Sequence, residues 1–374
     1  MLLGCLGEPG KEVALQIAVV IGKVARFDVP REWPELLPAL MAAIQNASGN
    51  DLVQHRDESS RTQLHLKVKT PNPVGKGKQL NTEMTSYITV KIQKRCVQPL
   101  TRALLVMHHT VKSLASKRLA ADRRVFHEMV SQMSPFVLQI WHAHHAEMST
   151  IAVGQGEIEA AASALAAPLE KAHIAMKVLR KSIVHGMREP HKNQDVMLFL
   201  STLLQQTRAV LEMRRRFQSS LLQEPFEKYL VLHLKILTDL LECHPFSFLH
   251  TMKPALELIC SLCFSQESAG LLFQRFTIYS LNIIKQVLLC MEYRTPKDLD
   301  DVKDPRILEG SNMKREFFTD STVIEICGRL VSDYLPLSRE ELELWDSDPE
   351  EYMIDDSVSI CPRNVIRMMH DQVE

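Results

Sequence analysis

Apolar residues recur at helical spacing in one segment after another, and this pattern restricts the fold more than any other feature of the chain. In Lys11–Phe27 the residues Val13, Ala14, Ile17, Val20, Ile21 and Val24 share a broad stripe, and Trp33–Ala47 continues it with Leu36, Leu37, Leu40, Met41 and Ile44. The same spacing predicts helices over Ala103–Ser116, Ala121–His144, Ile158–His185, Asn193–Arg214, Glu224–Glu242, Phe248–Ser265, Gly270–Glu292 and Phe317–Tyr334. Only His65–Val68 and Tyr87–Ile92 read as β-like text. With 13 glycines in 374 residues the composition favours helix over sheet.

Successive helices pair across short turns, and two helices with their turns take about 40 residues, the armadillo or HEAT scale. Such pairs carry apolar faces too broad for a single partner, so they stack into an array with a continuous core. The expected fold is an all-α solenoid of antiparallel helix pairs. The break His185–Asn193 is polar. Thr295–Asn312 is mixed in charge and contains proline, and is expected to be an exposed, mobile loop. Beyond Leu335 the text turns acidic (REELELWDSDPEEYMIDD), which suits a solvated helix end and linker or a surface for a basic partner.

Formal net charge is −1, which argues against a general nucleic-acid or anionic-membrane binder. The apolar runs are broken by charge short of the roughly 20 residues that span a bilayer, and MLLGCLGEPGKEV lacks the basic start of a secretory signal. The eight cysteines are scattered through apolar helical text, as expected of free thiols in a reducing compartment. These features together predict a soluble intracellular protein.

Chemistry has few candidates. Cys260-x-x-Cys263 has no second Cys or His pair at zinc spacing and reads as core thiols. His142, His144 and His145 form an HAHH cluster near a predicted helix end, without a carboxylate or thiolate ligand beside it. His108 and His109 are likewise unaccompanied. No phosphate-cradling glycine loop or nucleophile elbow is present. No catalytic residue, cofactor or metal is expected.

The stretch RFDVPREWPELLPAL spaces Pro30, Pro34 and Pro38 four residues apart around Trp33. Asp28 is a candidate N-cap. Pro30 holds Val29 extended and ends the preceding helix, while Pro34 suits the first turn of the next. Pro38 is expected to kink that helix or tighten its first turn, and Trp33 to bury where the two helices cross. The stretch is therefore a rigid structural corner. A basic cluster, Lys112, Lys117, Arg118, Arg123 and Arg124, straddles a later turn. It is either an ordinary solvated corner or, with Arg31 and Glu35 at the comparable place before it, a partner-binding surface.

The stretch IGKVARFDVPREWPELLPALM resembles the helical hairpin of the importin-β superfamily of nuclear transport receptors. Ile21, Ala25, Asp28, Pro30, Trp33, Pro34 and Leu36 carry the match. TVKSLASKRLAADRRVF (110–126), KVLRKSIVHGMREPHKN (177–193), HPFSFL (244–249) and LPLSREELELWDSDPEEY (335–352) extend it along most of the chain. The resemblance implies a right-handed HEAT superhelix that binds cargo proteins, nucleoporins and the GTP form of the small GTPase Ran. It also implies shuttling between cytoplasm and nucleus through the nuclear pore, without direct nucleic-acid contact. A HEAT scaffold with no transport role is the alternative. In this reading the chain starts inside the array, and the hairpins that form much of the family's Ran site are absent. It divides into a HEAT hairpin (1–56), an insertion (57–102), continuing repeats (103–352) and a divergent tail (353–374). The insertion carries nine Lys and Arg against three Asp and Glu and is expected to be disordered or poorly ordered. It is either without a role or a basic loop for RNA or an acidic partner. Joining Arg56 to Ala103 would restore one amphipathic helix.

Overall fold

A computed structural model describes residues 8, 10–47, 98–154, 157–268, 270–294, 304–336, 339–350 and 353. The principal helices are α1 (Lys11–Asp28), α2 (36–47), α3 (Gln98–Ala115), α4 (Ala120–Val153), α5 (Ile158–Gly186) and α6 (Gln194–Arg216). They continue as α7 (Gln223–Cys243), α8 (Pro245–Cys263), α9 (Gln274–Leu289), α10 (Pro305–Phe317), α11 (Asp320–Arg329) and α12 (Arg339–Ser347). No strand occurs among the described residues, and no described helix is long and apolar enough to cross a membrane. The β-like text at 65–68 and 87–92, most of the basic stretch, and residues 354–374 lie outside the described residues.

The chain forms two compact units, Met1–Met187 and Arg188–Glu374, divided within the polar break HGMREPHKN. In the first unit α1 packs on α3, α3 on α5, and α4 on α5. The inward face of α1 keeps Ala14 and Ile21 of the expected stripe but is rotated toward the small residues. Ala14, Ala18, Ile21, Gly22 and Ala25 are buried, while Val13 and Val20 are about half exposed. Small residues let the backbones close: a Cβ on Gly22 would lie 2.7 Å from the His109 carbonyl oxygen. In the second unit α7 takes α6, α8 and α9 around it, and α10 packs on α8 and the turn Met291–Tyr293.

Several helix starts follow capping chemistry. The Asn193 side chain accepts from Val196 N–H at 3.1 Å to open α6, and Asp304 accepts from Arg306 N–H at 3.0 Å to open α10. The latter corrects the loop expected over Thr295–Asn312: residues 304–312 belong to a cap and helix, and 295–303 lie outside the described residues. The reason is visible in the packing. Gly310 and Ser311 are buried, and Gly310 sits against the Tyr293 ring, so α10 docks through small residues that leave no apolar stripe to read.

The insertion also ends earlier than expected. Gln98–Arg102 forms the first turn and more of α3, with Leu100, Thr101 and Arg102 at most 7% exposed. Likewise α4 runs on to Val153, so the HAHH cluster lies in mid-helix, with His144 and His145 buried. His145 stacks on Trp141 with ring centroids 5.0 Å apart, and His144 Nδ1 pairs with Glu147 at 3.0 Å.

Burial of His145 and of His108 should make the first unit acid-sensitive. Burial, with His142 adding to it, pushes His145 down to about 4. Burial followed by His109, Lys177 and Lys112 pushes His108 down to about 3. Below the ordinary histidine value the unfolded chain takes up protons that the folded unit does not, so stability falls as pH drops. From pH 6.5 to about pH 5 each group should remove on the order of 2 kcal/mol. Urea melts at neutral pH and near pH 5 measure the loss, and His145→Phe should remove its share.

Candidate partner-binding corner

The last turn of α1 ends at Asp28, whose carbonyl accepts from Glu32 N–H at 2.7 Å and Trp33 N–H at 3.0 Å. Asp28 thus shapes the corner through its backbone, at the end of α1 and not as the N-cap of α2. The Val29–Pro30 peptide is cis and Val29 is buried. Pro34 lies in the turn before α2, and Pro38 is the residue within the first turn, where its missing N–H costs nothing and no kink is required. Trp33 is only half-buried. Leu36, Leu40 and Ile44 seal the core here in its place, all with no exposed surface, because the chain turns before Trp33 can reach between the helices.

A second corner, between α3 and α4, is stitched to this one. Lys117 Nζ donates to the Val29 carbonyl at 3.0 Å, and Arg26 donates to Ser116 Oγ at 2.7 Å. Lys117 also pairs with Asp122 Oδ1 at 3.5 Å, both side chains being largely sheltered. Between the corners lies a cavity of about 400 Å³. Its cations are Arg26, Arg31, Lys117 and Arg118, its one carboxylate is Asp122, and Phe27, Val29, Pro30 and Leu119 supply apolar wall.

Of the residues singled out from sequence, Arg31, Lys117 and Arg118 meet here. Glu35, Arg123 and Arg124 are exposed but do not line the cavity. Arg26, Phe27 and Leu119 were not anticipated. A signal for Phe27 exists: it stands seven residues beyond Val20 and fourteen beyond Val13, on the outward face of α1, and it is 80% exposed.

The other candidates offer little chemistry. Burial pushes the Cys263 and Cys260 thiols up to about 12, so neither is a nucleophile at neutral pH. Among the described residues no group of His, Cys, Asp and Glu is arranged to hold a metal ion. What the geometry offers is an open cavity lined by four cations and exposed apolar side chains.

The chain belongs to the importin-β superfamily, and its fold is the HEAT-type helical array of that class. Among curated relatives it is 34% identical over 357 residues to importin-11 of Homo sapiens, and equally to importin-11 of Mus musculus, in each case covering 95% of this chain. It is 20% identical to the importin beta-like protein kap113 of Schizosaccharomyces pombe over 94% of the chain. Of solved structures, that of Lph2, a bidirectional nuclear transport receptor in S. cerevisiae, superposes with a TM-score of 0.65 at 19% identity, covering 99% of this chain and 32% of that one. This likeness concerns the fold alone. No protein-family model matches the chain. The chain spans about a third of the length of the curated relatives it matches, 31% of each importin-11.

Proposed function

We propose that this chain is the protein-binding array, or part of it, of a nuclear transport receptor. It takes up protein cargo, engages nucleoporins during passage through the pore, and shuttles between cytoplasm and nucleus. Ran in its GTP form competes with cargo or reshapes the array, which is a coupling between two binding events and involves no covalent chemistry. The observation that carries the reading is the 34% identity with importin-11 along 95% of the chain. Within the chain, residues 1–56 and 103–352 supply repeats, 353–374 a divergent tail, and Arg31, Glu35, Lys117, Arg118, Arg123 and Arg124 contribute to partner contacts.

The intact protein, immobilised and exposed to Ran loaded with GTP or with GDP, tests the proposal. Preferential capture of the GTP form is expected of a receptor. Indifference to the nucleotide would instead fit a scaffold that assembles protein complexes without transport.

A further inference from the structure

The corner cavity of the first unit carries more positive charge than its own contacts use. Asp122 is already held by Lys117 at 3.5 Å. Arg31 and Arg118 are exposed, and no ion pair or side-chain hydrogen bond joins either to a described residue. Arg26 makes one neutral contact, to Ser116 Oγ at 2.7 Å. The chain as a whole has formal net charge −1, so this concentration of cations is local and not a property of the surface at large.

Two large apolar side chains line the same cavity. Phe27 is 80% exposed and Leu119 71% exposed. Single exposed apolar residues are ordinary. A pair of them beside one cationic cavity is a different arrangement, because it offers a guanidinium for a carboxylate and an apolar seat for a neighbouring side chain at once. Guanidinium groups bind carboxylates through paired, charge-assisted hydrogen bonds. Their exposed position means that attraction is screened by salt, so the apolar seat must supply part of the discrimination.

We propose that this cavity docks an acidic peptide segment of a partner protein. Its Asp or Glu side chains meet Arg26, Arg31 and Arg118, and one bulky apolar side chain lies between Phe27 and Leu119. The assignment rests on reading the chain as a protein-binding array and adds the chemical class of one of its partners. Lys117 is a positioning residue: its bond to the Val29 carbonyl joins the two corners across the cavity, and its pairing with Asp122 steadies the side chain within its own corner.

An array of short synthetic peptides tests it. Each peptide carries a run of Asp and Glu around one Phe or Leu. Matched controls replace the apolar residue by Ser, or the acids by Lys, and an RNA oligonucleotide of equal charge serves as a polyanion control. The full-length chain should retain the acidic-apolar peptides over all three controls, less strongly as salt rises. Arg31→Glu with Arg118→Glu should weaken retention roughly tenfold or more, since two attractive contacts become repulsive, and Phe27→Ser should weaken it without changing the salt slope. All three positions are exposed, so circular dichroism melts of these variants should overlay that of the parent. Retention of no acidic peptide, retention unchanged by the charge reversal, or equal binding of the RNA overturns the proposal. Peptide binding without nucleotide-dependent Ran capture counts against the receptor reading and leaves this assignment standing. Ran capture without peptide binding does the reverse.

Discussion

Replacing Trp141 by alanine should cost the first unit about 3–5 kcal/mol, as expected for truncating a fully buried aromatic residue. The indole has no exposed surface in the middle of α4, stacks on His145 at 5.0 Å and meets the His142 ring edge-on at 4.8 Å. On the same helix Met133, Val137, Leu138 and Met148 are also buried, and α4 packs on α5. Truncation leaves a cavity that the helices can close only in part. Trp141→Phe should cost less, because it keeps a ring against His145. Amide exchange in α4 and α5 together with urea melts measures both variants. A loss below about 1 kcal/mol for the alanine variant would mean that this face is not core.

Arg214→Ala should destabilise the second unit by about 2–4 kcal/mol, the range for breaking a sheltered ion pair after allowance for partial solvent access. The guanidinium reaches Glu227 Oε1 twice, from Nε at 3.0 Å and from Nη2 at 2.6 Å, and lies over the Phe273 ring at 4.6 Å. Gln223 Nε2 donates to the same oxygen at 3.3 Å. The two charged side chains are 11% and 20% exposed, so removing the arginine leaves a largely desolvated carboxylate with one weak donor. The contact also joins the end of α6, the start of α7 and the residue before α9, and its loss should show as faster amide exchange at those three places. Arg214→Met combined with Glu227→Leu removes both charges and should recover most of the stability. If the double variant is as unstable as Arg214→Ala, the cost comes from lost packing on Phe273 and not from the uncompensated carboxylate.

The fold was most legible where large apolar residues alone make the contact. In α5 and α6 the expected segments, Ile158–His185 and Asn193–Arg214, fall within two residues of the observed ends, because Leu165, Leu169 and Val178, or Phe199, Leu203 and Val210, fill the core at helical spacing. Legibility failed where small residues do the packing. On α1 the stripe caught Ala14 and Ile21 but missed Ala18, Gly22 and Ala25, and α10 docks through Gly310, which registers as no apolar stripe at all. Within α3, Thr101 and Arg102 are buried polar groups, so the text looks foreign to a helix that in fact contains it. Trp33 was read as a core residue from its size alone, whereas backbone bonds to the Asp28 carbonyl turn the chain before it can enter.

The candidate site was half legible for a similar reason. The cations Arg31, Lys117 and Arg118 stand at helix corners in the sequence, and proximity in space required only that α1 and α3 lie side by side. Phe27 and Leu119 read as ordinary apolar residues until their exposure was known. Arg123 and Arg124 directly follow Asp122 on α4 but do not line the cavity.

The account stands or falls most directly on the affinity of the intact protein for Ran, titrated in the GTP-loaded and GDP-loaded forms at the same salt concentration. A nuclear transport receptor array is predicted to bind the GTP form more tightly and to exchange it for cargo. Equal affinity for the two forms, or saturable binding of the GDP form alone, would contradict the reading.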